Sequence, residues 1–178
     1  MLQLLLLLLL LLLLMLQAQA KFKSLHCQII DKNFGNLRVC EIKAINRTKN
    51  VINISYDLYK TVENDVQAQV QLFKRANGWH PFLYNFKLDV CKFLKKPNNL
   101  IGIIAFKYLK PFTNINHTCP FMAGSPIIVK NFELDVDNFR QRFPIDNGEY
   151  ALTLSLFINK ILVASFNGSI YHFNYKDQ

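Results

Sequence analysis

Apolar and polar residues alternate over long stretches of this chain. Val66-Gln67-Ala68-Gln69-Val70-Gln71-Leu72 does so without a break, the pattern of a strand buried on one face. In residues 51–59, Ile52, Ile54, Tyr56 and Leu58 share one face, with Asn53, Ser55 and Asp57 on the other. Phe82, Tyr84, Phe86, Leu88 and Val90 form a third stripe. Asn77-Gly78 lies between that stripe and the Val66 strand and predicts a tight hairpin, because both residues tolerate positive φ. Further strands are expected at residues 25–30, 37–42 and 127–136.

The last hairpin carries register information. Tyr150, Leu152, Leu154, Leu156 and Ile158 face one way on its first strand, and Leu162, Ala164, Phe166 and Ile170 share a face on the second. A two-residue turn at Asn159-Lys160 would set the first stripe against Ile161, Val163, Ser165 and Asn167. A three-residue loop, 159–161, aligns the two apolar stripes instead. A slip of one residue flips every side chain, so the three-residue loop is expected.

One segment departs from period two. Residues 99–109 (NLIGIIAFKYL) follow Pro97 and read as a short helix capped by Asn98 or Asn99. It is apolar on nearly every side except at Lys107, so it is either sandwiched between layers or held against something apolar. Gly102 in its middle argues against the helix. Seven or eight short strands with regular turn signals and this one helix predict an all-β, two-sheet sandwich.

The start of the chain stands outside that pattern. Residues 4–16 are thirteen consecutive apolar residues, followed by Ala18-Gln19-Ala20. A run of that length before an A-x-A site reads as a secretory signal peptide, too short for a good membrane span. Residues 1–20 are therefore expected to be removed, and residues 21–178 to form one domain of a secreted, extracellular protein. The chain is 51 % apolar, and the leader, apolar at all but three of its 20 positions, inflates that total; the chain's 15 Phe, 7 Tyr and 1 Trp all lie after residue 20.

Export changes the reading of the cysteines and asparagines. Cys27, Cys40, Cys91 and Cys119 predict two disulfides in an oxidising compartment, with three connectivities open. Cys27–Cys40 with Cys91–Cys119 is preferred, because a hairpin about residues 31–36 would bring the first pair opposite. Four Asn-x-Ser/Thr acceptor sites, at Asn46, Asn53, Asn116 and Asn167, are candidate glycosylation sites and require outward side chains if used.

Chemistry beyond that is sparse. No Cys-x-x-Cys, HExxH, nucleophile elbow or phosphate-binding glycine loop occurs, and His26, His80, His117 and His172 are scattered. No metal, cofactor or catalytic residue is expected, and the protein is read as a non-enzyme. Glu133, Asp135 and Asp137 alternate as a solvated face. A net charge of +9 could suggest nucleic acid, but the cations are spread from Lys21 to Lys176, with only Lys92, Lys95, Lys96 and the pair Arg140/Arg142 mildly clustered, and an exported protein seldom meets it. Anionic headgroups or acidic glycans suit such a surface better; most of the charge reads as solubility.

Residues 74–94, KRANGWHPFLYNFKLDVCKFL, together with NINHTCP at 114–120 and Phe143-Pro144…Gly148-Glu149-Tyr150, resemble a large family of small secreted insect proteins described as a domain of unknown function. Phe22, Cys27, Asp31, Phe34, Cys40, Ala44 and Asn46-Arg47-Thr48 fit the same pattern. That family is similar to the ML lipid-recognition domains, which include ganglioside-activator-like and sterol-transfer proteins. The resemblance implies an immunoglobulin-like sandwich whose sheets part to hold a lipid tail, and an extracellular role of the chemosensory kind. It also implies that the four cysteines are disulfide-bonded and that Asn77, Gly78, Pro81, Phe82, Leu83 and Tyr84 are hairpin and core residues.

Two functions follow as expectations. In the first, a lipid or other hydrophobic ligand lies between the sheets, lined by Phe82, Tyr84, Phe86, Tyr150, Leu152, Leu154 and Phe166. In the second, the core is closed and the protein recognises a receptor or surface protein through exposed aromatics at Trp79 and Phe121.

Overall fold

In the computed structural model, residues 3–7, 19–47, 49–135 and 145–173 are described. Eight strands form two antiparallel sheets: β1 (Gln19–Ile29), β2 (Gly35–Ala44), β3 (Asn50–Leu58), β4 (Val66–Ala76), β5 (Gly78–Asp89), β6 (Ile127–Phe132), β7 (Gly148–Ile158) and β8 (Ile161–Phe173). The large sheet runs β1-β8-β7-β4-β5 and the small one β2-β3-β6. The protein is an all-β two-sheet sandwich. Between β5 and β6 lie helices α1 (Val90–Lys95) and α2 (Leu100–Leu109) and a 3-10 turn at Lys110–Phe112. The expected leader falls mostly outside the described residues, as do Asp137, Val136 and Phe143-Pro144; β1 takes in the last two residues of the expected leader, Gln19 and Ala20.

Register shows which way each face points, because residues directly opposite across two strands share a face. Cys27 opposes Phe166, Phe166 opposes Leu154, Leu154 opposes Val70, and Val70 opposes Phe86. Cys27 is bonded to Cys40 of the small sheet, so this is the inner face. Gln67, Gln69, Gln71, Phe73, Thr153, Ser165 and Asn167 lie on the outer one.

All three small-sheet strands reach the β1 edge. The disulfide ties β2 to it. Asn50 of β3 is buried and holds Phe22 by both backbone groups, accepting from its N–H at 2.9 Å and donating to its C=O at 2.8 Å. Phe132 of β6 meets the Phe22 ring at 5.8 Å. β4 and β5 therefore lie at the far edge, three and four strand widths (roughly 14 and 19 Å) from β1, to which the small sheet is fastened, and the helices follow directly from β5.

Several sequence expectations change. Cys27 and Cys40 do bond, but not across a hairpin: β1 and β2 belong to different sheets, and residues 30–34 carry the chain between them. The last hairpin turns on two residues, Asn159 and Lys160, at φ 49° and 67°, not three. Ile158 then opposes Ile161, and a bulge shifts the register so that Leu156 opposes Ala164 and Leu154 opposes Phe166. The extra residue is Val163, 2 % exposed, whose C=O accepts from Ile30 N–H at 2.9 Å and Asp31 N–H at 3.2 Å. From Ala164 onward the stripes align as expected, through the bulge rather than the loop, but Leu162 opposes Phe157 and leaves the shared face. At Asn77-Gly78 only Gly78 takes positive φ, 116°.

Val90 is the first residue of α1 rather than the last of a strand, because the Asp89 carboxylate accepts from Lys92 N–H at 2.9 Å and caps a helix there. Strand β6 stops at Phe132, with Asn131 at φ 52°. Phe121, expected on the surface, is 8 % exposed in the main core and exchanges two 2.9 Å backbone hydrogen bonds with Val62.

Candidate ligand-binding site

The inner face of the large sheet is packed at two places. The main core gathers Tyr56, Leu58, Val62, Val66, Phe121, Ile158, Val163, Ala164 and Phe166. A second, smaller cluster sets Ile145 and Tyr150 against Phe82, Leu134 and Ile170, with the Phe82 and Tyr150 rings 5.3 Å apart. Leu152 lies between them on β7, and its cross-strand neighbour is Gly168, which has no side chain to cover it. Leu152 is 41 % exposed although it is on the inner face. Leu72, Tyr84, Phe86 and Leu88 beside it on β4 and β5 are only half-buried.

Of the seven residues expected to line a pocket, the structure thus brings all to one face, but into different roles. Phe166 is core; Tyr150 and Phe82 form the second cluster; Leu154 packs on the main core; Leu152, Tyr84 and Phe86 form the partly covered stretch between.

The helices follow β5 and meet its far end. Asn99 caps α2 through a 2.8 Å hydrogen bond from Gly102 N–H. Gly102 is where α2 approaches most closely: a methyl there would sit 3.1 Å from the Phe93 ring and 3.2 Å from Leu88. The glycine that argued against a helix is thus what lets the helix dock. Phe93 of α1 is buried and meets Phe106 of α2 edge-on at 5.9 Å. The other side of α2 faces water: Leu100 is 70 % and Ile103 40 % exposed. The helix is therefore not sandwiched. The Cys91–Cys119 disulfide closes the loop that carries it, a sequence separation of 28.

One cation sits beside the second cluster. Lys74 opposes Tyr150 in register, and its ammonium lies 5.7 Å from the Phe82 and Tyr150 ring centres and 2.9 Å from Asp146 Oδ2. The hydrogen bond to Asp146 raises its pKa above the ordinary 10.5, so it is charged at neutral pH. Burial pushes the Tyr56 hydroxyl up, with Asp31 and Tyr59 adding to it.

Two concavities border the described residues. One of about 60 Å³ is lined by Ile115, His117, Phe121 and Ile127 among others. The other, about 290 Å³, is an open groove on the outer face bordered by Phe73, Trp79, Thr153, Asn167 and Ser169. Leu152 borders that groove; the other six expected lining residues border neither. Trp79, expected in a loop, lies on β5 with the Arg75 guanidinium 5.4 Å from its ring centre.

The acceptor asparagines are spread over the molecule. Asn46 and Asn116 are exposed in loops, Asn53 bonds Glu41 at 3.0 Å from the outer side of β3, and Asn167 accepts from Thr153 Oγ1 at 2.7 Å on the outer face. Glu133 pairs with Lys49. Among the described residues no cluster of three His, Cys, Asp or Glu could hold a metal, and no helix is long and apolar enough to cross a membrane.

These features define a disulfide-linked all-β sandwich of two antiparallel sheets. Residues 68–152 match the model of a family described as a protein of unknown function (DUF1091). The chain is similar to that family from β4, through both helices and β6, into β7, the half of the molecule that carries Leu152, Phe86 and α2. No curated protein matches the chain.

Proposed function

We propose that this is a secreted, glycosylated, non-enzymatic binding protein that holds a lipid or other hydrophobic molecule on the inner face of β4, β5 and β7, beside α2. One observation carries the reading: Leu152 is 41 % exposed on a mainly apolar face, between two packed clusters. An apolar chain laid there would cover Leu152, Tyr84 and Phe86. The Lys74 ammonium would receive an acidic head group in place of Asp146. The disulfide-closed loop lets α2 shift as a unit to admit the ligand while both its ends stay attached. Two disulfides are compatible with an extracellular setting; a chemosensory role belongs to the same proposal, and expression in sensory tissue would test it.

Native mass spectrometry of the protein secreted by its own cells, followed by organic extraction, tests the reading directly. A bound hydrophobic molecule is expected, and repeated recovery of empty protein from lipid-rich medium overturns it. A second reading has its own support: the outer groove at Trp79 and Phe73 suits a receptor or surface protein. In that case Trp79→Ala abolishes capture of the partner and Leu152→Ser does not.

A further inference from the structure

The positive charge is not evenly spread. Between Asp89 and Glu133 there is no acidic residue and no arginine, but six lysines: Lys92, Lys95, Lys96, Lys107, Lys110 and Lys130. That one segment therefore carries +6 of a net +9, and it is the segment that contains α1 and α2. Lys92 is paired with Asp89 at 3.1 Å. Among the described residues Lys95, Lys96, Lys107 and Lys110 make no ion pair, and all four are exposed.

Of the four exposed positions on α2, Leu100, Ile103 and Lys107, with Lys110 just beyond, recur at intervals of three, four and three, and only Ala105 falls off that line. They form one stripe along the helix, aliphatic at its start and basic at its end. The opposite side of the helix is occupied by the Gly102 contact with Phe93 and Leu88. An outward stripe of this kind places aliphatic side chains and ammonium groups on one surface.

We propose that this surface docks on an anionic phospholipid bilayer, with Leu100 and Ile103 entering the interface and Lys107 and Lys110 meeting the headgroups. Charge complementarity carries the choice. Lysines reach headgroups on flexible apolar stems and act as point charges on a diffuse field, whereas a specific protein carboxylate favours the planar fork of arginine. All five arginines, Arg38, Arg47, Arg75, Arg140 and Arg142, lie outside the segment. A helix end with a leucine 70 % exposed suits the acyl boundary, into which interfacial helices bury their apolar side chains.

Docking does not need an occupied ligand site, so the two proposals fail separately. The test is flotation of the disulfide-bonded protein with vesicles of phosphatidylcholine alone and of phosphatidylcholine with phosphatidylserine. Binding is expected only with the anionic lipid, falling as salt rises. Lys107→Glu with Lys110→Glu is expected to lower partitioning at least tenfold, and Leu100→Ser with Ile103→Ser several-fold, without change in the thermal melt. Equal flotation on neutral vesicles, undiminished flotation of both variants, or binding to immobilised heparin with none to vesicles each overturns the proposal. Flotation by a protein that extracts empty would uphold docking and refute ligand carriage.

Discussion

Leu152→Ser separates an open cleft from a filled core. About three-fifths of Leu152 is covered in the structure, since it is 41 % exposed. Full burial of a leucine contributes about 1.5–3 kcal/mol, so the substitution should cost the protein only about 1–1.5 kcal/mol. Phe166 lies on the same face two strand positions away and is 9 % exposed; truncating it to alanine should cost about 3–5 kcal/mol. A bound apolar molecule would cover the rest of Leu152. Losing that contact should weaken binding by about 1 kcal/mol, roughly fivefold. Urea unfolding followed through Trp79, the one tryptophan of the chain, measures the first quantity. Displacement of a fluorescent naphthylamine probe measures the second. A stability loss of about 3 kcal/mol or more would place Leu152 in a closed core, and unchanged probe affinity would refute the cleft.

Other consequences can be checked on the same material. Lys160 occupies φ 67°, so Lys160→Gly should raise stability by about 0.5–1 kcal/mol and Lys160→Pro should lower it by about 3 kcal/mol; a gain from Ile161→Gly instead would restore the three-residue loop. Removing Cys91–Cys119, which spans 28 residues, should cost about 3–4 kcal/mol and speed tryptic cleavage near α2, whereas removing Cys27–Cys40 should leave that cleavage slow. For Asp89, partial burial raises the pKa, but hydrogen bonds from the Lys92 backbone and side chain outweigh it, and the pKa falls below the ordinary 3.8. Its capping of α1 is therefore fully present above that ordinary value and is lost as pH falls through the lowered one. Asp89→Asn should flatten the acid limb of the unfolding curve measured by circular dichroism.

Much of the sandwich was legible because period two survives in a strand whatever lies across from it. The stripes at Ile52–Leu58, Val66–Leu72 and Tyr150–Ile158 all became strands with the expected face inward. Errors arose where one residue's backbone decides a register. A bulge at Val163 leaves no pattern in the alternation, because it compensates a turn that is itself one residue shorter. The Cys27–Cys40 pair was found for the wrong reason: equal distance from a polar stretch cannot distinguish a hairpin from a crossing between sheets. Gly102 read as a helix breaker because its steric use depends on Phe93 and Leu88, one on another helix and one on a strand. The acid-free run from Val90 to Phe132 is visible in the sequence, but only the helix places two of its lysines in line with an exposed leucine and isoleucine.

By itself, the sequence determined the class of structure and the inner set of side chains, since alternation and cysteine count are local properties of the chain. Only the tertiary structure decided which of those residues are spent in packing and which stay uncovered. Leu152 and Phe166 share a face and the same periodic signal. One is half open because its neighbour across the strands is Gly168, and the other is buried because the small sheet and its disulfide lie over it. Coverage depends on what the far parts of the chain place opposite each position, and that is a property of the assembled sheets.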